Sequence, residues 1–171
     1  MKASGKNVSN RKKREKDNVS EKTRDIASDL SRLGSFDEIL EYLITYVTQT
    51  LEAERGSLFL HDPAAHQLYT RVALGNLSRE IRIDEQSGIA GWVFMNAEAT
   101  IVNSPYKDER FNKEVDERTG YQTKSIICVP IFSTGDIPIG VLQVLNKQTG
   151  RFTKADLAKI ELVASQCAST L

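Results

Sequence analysis

The chain of 171 residues is poor in the groups that usually announce a chemistry. It has two cysteines, Cys128 and Cys167, each in an apolar setting and neither in a C-x-x-C pair. That reads as reduced packing residues of an intracellular, cytoplasmic protein, not a disulfide framework. It has two histidines, His61 and His66, five positions apart in one turn signal. Two ligands in a flexible turn make a poor metal site, so both are expected to be solvated. No Ser/His/Asp or Cys/His set can be assembled from so few groups, so no catalytic residues are expected. No apolar run approaches eighteen residues, which excludes a membrane-spanning helix. The charged N-terminus has no apolar segment behind it and is not expected to be a secretory signal. No G-x-G-x-x-G or Walker loop is present, so a nucleoside triphosphate site is not expected.

The formal net charge is zero, but the charges are unevenly spread. Residues 1–16 carry seven Lys or Arg against one acid, which leaves 16 bases and 22 acids in the rest. An acidic body does not suit a phosphate-backbone partner. The expected organisation is a disordered basic leader over 1–18, a helical linker over 19–34 and one domain over 35–171. Val19, Ile26 and Leu33 stand seven apart, like a short coiled-coil seam.

Phe36, Ile39, Leu40, Leu43, Val47 and Leu51 follow helical spacing, with Ser35 and Glu38 placed for a capping box. Strands are expected at 57–60 and 67–74 as a hairpin, then at 80–83, 99–102, 125–132 and 140–145, with a turn at 133–136. A last helix is expected from about Thr153 onward. Strands not separated by regular helices indicate an α+β domain around an antiparallel sheet of about six strands.

Three features invite a functional reading. Gly88-Ile-Ala-Gly91 allows a tight turn into a short helix, whose free N–H groups would seat one phosphate or carboxylate. It could equally be a plain glycine turn. The polar segment 103–123 carries Asn112, Asp116, Thr119 and Thr123 at spacings of four, three and four. These lie near one face if the segment is helical. Set against the apolar run 125–132, the segment could be a lid over a ligand pocket or a solvated surface. Finally, Lys147 ends a strand and Asp156 begins a helix, so a salt bridge between them would pin the two. Thr153 and Asp156 also fit a capping box.

From about Phe36 to Leu171 the chain resembles a GAF domain. More narrowly it resembles the cyclic-nucleotide-binding GAF domains of mammalian phosphodiesterases and bacterial adenylate cyclases. The resemblance rests on Ile81-Arg-Ile, Gly88-Ile-Ala-Gly91, Arg110-Phe-Asn, Val115-Asp116, Thr119-Gly-Tyr-Gln-Thr123, Ile127-Cys-Val-Pro-Ile131 and Gly140-Val-Leu-Gln143-Val-Leu-Asn-Lys147. Asn146, Lys147, Phe152 and Asp156 stand where that subset carries its structural signature.

The resemblance implies a regulatory module that needs no cofactor or metal and takes cyclic AMP or cyclic GMP as its ligand. Ser57 is implied to reach the purine, and the Ile89 and Ala90 amides to hold the phosphate. Asn112 is implied to contact phosphate or ribose. Asp116, Thr119 and Thr123 would lie at base and sugar, with Gln143 in the pocket floor. The flanking helices would form a homodimer and pass occupancy to an output domain such as a cyclase, phosphodiesterase or kinase. Neither nucleic acid nor membrane is an implied partner.

The chain departs from the pattern at Leu157, at Asn112 and at Leu74, where relatives carry an acid, an aromatic and an acid respectively. The cyclase-like motifs favour cyclic AMP, although Gln143 could serve adenine or guanine. Three other readings are available: a non-covalent bilin site, a methionine sulfoxide reductase, and a ligand-free dimerisation module plugged by Phe111 or Tyr121.

Overall fold

The computed structural model describes residues 34–74, 80–133 and 136–171. The basic leader, the Val19–Leu33 seam and the centre of the 133–136 turn lie outside the described residues. The chain divides into two compact units, Met1–Ile39 and Leu40–Leu171.

The first unit is described over six residues. Here the capping box forms in both directions. The Glu38 amide donates to Ser35 Oγ at 3.2 Å, and the Ser35 amide donates to Glu38 Oε2 at 3.1 Å. This starts helix α1, Phe36–Thr50, whose Leu40, Leu43, Ile44 and Val47 are buried in the second unit.

The second unit is built on six strands: β1 (Ala53–Asp62), β2 (Gln67–Ala73), β3 (Arg82–Asp84), β4 (Thr100–Val102), β5 (Ile126–Phe132) and β6 (Pro138–Lys147). They form one antiparallel sheet in the order β3-β2-β1-β6-β5-β4. Three helices follow: α2 (Gly88–Asn96), α3 (Glu114–Thr119) and α4 (Lys154–Thr170). This is the expected α+β architecture.

β5 is apolar throughout because it is covered on both faces. Alternate residues point to opposite sides of a sheet. Ile126 and Cys128 pack with Ile89, Ala90, Val93 and Phe94 of α2. Ile127, Val129 and Ile131 point the other way, and α4 lies against this strand. β1 alternates likewise. Gly56 faces α1 so closely that a Cβ there would overlap the Thr48 hydroxyl, while Ser57 faces the α2 side.

β1 (Ala53–Asp62 against 57–60) and β6 (Pro138–Lys147 against 140–145) run longer than expected, and two other boundaries differ for specific physical reasons. The third strand begins at Arg82, because the Ile81 amide is taken by the Thr70 hydroxyl at 2.9 Å and not by a backbone carbonyl. The glycine motif is the first turn of α2 and does not precede it: Gly88, at φ +71°, is already helix residue one. No helix among the described residues is long and apolar enough to cross a membrane.

Candidate functional site

One cavity gathers the eight expected ligand-binding positions. Ser57 and Gln143 come from the sheet and Ile89 and Ala90 from the start of α2; Asn112, Asp116, Thr119 and Thr123 come from the lid segment. The remaining wall includes Arg55, Phe59, Ile81, Ile83, Ser87, Phe111 and Tyr121. Its volume is about 100 Å³. Phe111 and Tyr121 both line this space. A second cavity of about 230 Å³ adjoins it and shares Ile83, Ser87, Asn112 and Val115. The Asn112 amide donates to Ser87 Oγ at 2.9 Å, a bond between two residues that border both cavities.

The start of α2 has the properties of an anion seat. Ser87 occupies the N-cap position, yet its side chain makes no capping hydrogen bond. The first helical bond runs from the Gly91 amide to the Ser87 carbonyl at 3.2 Å, so the Ile89 and Ala90 amides have no partner within the helix. Their N–H groups and the helix dipole favour negative charge at the cavity wall. Gly91 is required for a separate reason. A Cβ there would come within 2.8 Å of the Glu85 carbonyl, so the helix start packs directly on the preceding turn.

That turn is held by the two histidines, which are not simply solvated. Glu85 accepts from His61 Nε2 at 2.5 Å through one oxygen and meets His66 Nδ1 at 3.0 Å through the other. His66 remains open to water, with its side chain 76% exposed, whereas His61 also packs on the Phe94 ring at 4.4 Å. The two imidazoles, His61 first, hold the Glu85 carboxyl below the usual range. Short-range spacing could not show this partnership, because Glu85 arrives from β3, outside the hairpin.

The lid is only partly helical. α3 covers Glu114–Thr119, so Asp116 and Thr119 are helical while Asn112 and Thr123 flank the helix. Asp116 is buried, and its carboxylate is already engaged. It accepts from the Thr123 amide at 2.6 Å, the Thr123 hydroxyl at 2.7 Å and the Tyr106 hydroxyl at 2.9 Å. The Thr119 hydroxyl donates to the Val115 carbonyl at 2.7 Å. In this arrangement Asp116 fastens the two ends of the lid. By contrast, Ser57 is 7% exposed and, like the Gln143 side chain beside it in the register, makes no hydrogen bond to any described residue.

The four signature residues brace the exit of the lid. Asn146 sits at φ +58° and is 2% exposed. Its oxygen accepts from the Lys124 amide at 2.6 Å and the Ser125 amide at 3.3 Å. Its nitrogen donates to the Gln122 carbonyl and to Glu54 Oε2, both at 2.9 Å. Lys147 donates to the Leu51 carbonyl at 3.0 Å and meets Asp156 at 3.3 Å, and it lies over the Phe152 ring. Asp156 also closes the expected capping box with Thr153. Burial pushes the Asp156 carboxyl up, but the Thr153 amide, the Thr153 hydroxyl and Lys147 together hold it below the usual range.

Both cysteines are free and buried. Burial pushes the Cys128 thiol far above its ordinary value and the Cys167 thiol up to about 12, which suits packing and not reactivity. Motif reading missed Glu54, Arg55 and Ser87. The signal available for Arg55 was alternation: Arg55, Ser57 and Phe59 share one face of β1.

A six-stranded antiparallel sheet with helices on both sides and a cavity on one face defines an α+β class of domain. A family model for the GAF domain matches residues 35–171, and the chain belongs to that family. It is 38% identical over 149 residues to a probable 3',5'-cyclic phosphodiesterase, pde-5, of Caenorhabditis elegans, covering 80% of this chain and 20% of that protein. It is 34% identical over 160 residues to the dual 3',5'-cyclic-AMP and -GMP phosphodiesterase 11 of Drosophila melanogaster, covering 83% of this chain and 11% of that one. The chain therefore spans a fifth or less of the length of these relatives. Among solved structures, the GAF domain of a phosphoenolpyruvate-protein phosphotransferase from Coxiella burnetii superposes with a TM-score of 0.77 at 17% identity, covering 86% of this chain and 88% of that one. That likeness shows the fold alone.

Proposed function

We propose that this chain is the sensing module of a longer signalling protein and that its ligand is a cyclic nucleotide. What carries the reading is the meeting, in one cavity, of two unpaired helix-start amides with the unpartnered Ser57 and Gln143 side chains. The amides suit a phosphate that bears a single negative charge. Ser57 and Gln143 suit a heterocycle with mixed donors and acceptors, and because each donates and accepts they do not choose between adenine and guanine. The cyclase-like motifs on their own favour cyclic AMP.

Nucleotide-sized ligands occupy sites of about 300–1,000 Å³. The cavity is smaller, so binding has to displace the lid and part the Ser87–Asn112 bond that lies between it and the adjoining space. Lid movement is then the event that occupancy transmits through the flanking helices of a homodimer. The relatives support a phosphodiesterase as the output domain.

Calorimetry and thermal denaturation with each nucleotide test this directly. Either cyclic AMP or cyclic GMP should raise the melting temperature, with about 2.7 kcal/mol of added stability at a hundredfold excess over Kd. The absence of both heat and a melting shift at millimolar concentrations of both nucleotides would refute the reading.

A further inference from the structure

Among the described side chains that line the cavity, Arg55 is the one cation. Ser57 and Gln143 each donate and accept, whereas Arg55 can only donate. Its guanidinium lies 3.7 Å over the centre of the Tyr121 ring. Among the described residues it makes no hydrogen bond or salt bridge. Stacking on a ring face fixes the plane of a guanidinium and leaves its in-plane donors unused.

The ring beneath it is itself held, because the Tyr121 hydroxyl donates to Glu54 Oε2 at 2.9 Å and Glu54 in turn accepts from Asn146. Arg55 is therefore a pre-oriented donor fork at the wall of the cavity.

Its position suits the heterocycle and not the phosphate. Arg55, Ser57 and Phe59 line the cavity in succession along β1. Glu85, bonded to His61 at the far end of β1, packs directly against Gly91 in the first turn of α2, so the anion seat lies at the Phe59 end. Arg55 is four residues from Phe59, about 13 Å along a strand. A ligand whose phosphate rests on Ile89 and Ala90 extends its base past Ser57 toward Arg55.

We propose that Arg55 selects the base, favouring a purine that presents two acceptors on one edge. Guanine does so through O6 and N7, and a guanidinium meets both at once. Adenine offers N7 beside an amino group, which sets a donor against a donor. This rests on the cyclic-nucleotide reading and reverses the cyclic AMP preference that the motifs alone suggest. Tyr121 is the positioning residue, acting through Arg55.

The test is calorimetry of the 171-residue chain with cyclic GMP, cyclic IMP and cyclic AMP. Cyclic IMP keeps O6 and N7 but lacks the 2-amino group. Cyclic GMP and cyclic IMP should bind within a few-fold of each other and about 10- to 100-fold tighter than cyclic AMP. Arg55→Gln, which both donates and accepts, should weaken cyclic GMP by about that factor and leave cyclic AMP nearly unchanged. Tyr121→Phe should keep the discrimination, and Tyr121→Leu should reduce it.

The wild-type series needs no variant to fold. Cyclic AMP binding as tightly as cyclic GMP overturns the assignment of Arg55 but leaves the cyclic-nucleotide reading standing. Equal weakening of both nucleotides by Arg55→Gln places the guanidinium at the phosphate and also overturns it. If none of the three binds, both readings fall.

Discussion

Tyr121 donates a hydrogen bond to Glu54 across 2.9 Å, and this bond fastens the C-terminal end of the lid to the first strand. The same Glu54 oxygen accepts from Asn146, which in turn holds Gln122, Lys124 and Ser125. Burial and the adjacent carboxylate push the Tyr121 hydroxyl well above its ordinary value, so it remains a donor at physiological pH. The lid is thus held by polar contacts at its end and by Asp116 within it, while Phe111 packs against the apolar cluster.

Glu54→Gln tests that arrangement. Glu54 is exposed, so global stability should change by less than about 1 kcal/mol. The effect should be local: hydrogen exchange at residues 119–125 should quicken about tenfold while the β5 and β6 amides keep their protection. Unchanged protection across the lid would show that the bond does not restrain it.

Asn146→Ala should be far more damaging. It removes four hydrogen bonds at a buried position and places alanine at φ +58°, a region that favours asparagine or glycine. The loss should be about 3–4 kcal/mol, since buried amides are left without acceptors. Asn146→Gly relieves the backbone but not the lost bonds and should recover only about 1 kcal/mol. Urea denaturation measures both. Recovery of most of the stability by glycine would place the cost in the backbone instead.

Asp156 should impose an acid-dependent stability. Its carboxyl is held below the ordinary aspartate value, so its contribution is complete above about pH 4 and is lost as pH falls through the depressed folded value. With side chains 15% and 7% exposed, the Lys147–Asp156 pair is shielded enough to matter. Asp156→Asn should cost about 1–2 kcal/mol between pH 5 and 8. The difference between wild type and variant should shrink toward zero near pH 2. A difference independent of pH would assign the loss to packing.

The elements that were easiest to read were those with local causes. The Ser35–Glu38 and Thr153–Asp156 boxes, the spacing of Leu40, Leu43 and Val47 and the unbroken apolar run of β5 each answer to residues a few positions away. The third strand was misplaced because Ile81 is held by a threonine hydroxyl eleven residues earlier. The histidines were misjudged because their partner, Glu85, lies in the turn after β3, nineteen or more residues along the chain. The lid residues were grouped by helical spacing, yet α3 spans only Glu114–Thr119, and its flanking positions meet the cavity through turns.

The order of residues by itself determined the first and last helices and the two-faced burial of β5, because propensity, periodicity and capping act over a few residues. Only the tertiary structure decided that Arg55 stacks on Tyr121, that Asp116 spends its carboxylate on the lid, and that Ser57 and Gln143 remain unpartnered. Those outcomes depend on which groups the folded chain brings into contact, and separation along the chain carries no record of that distance.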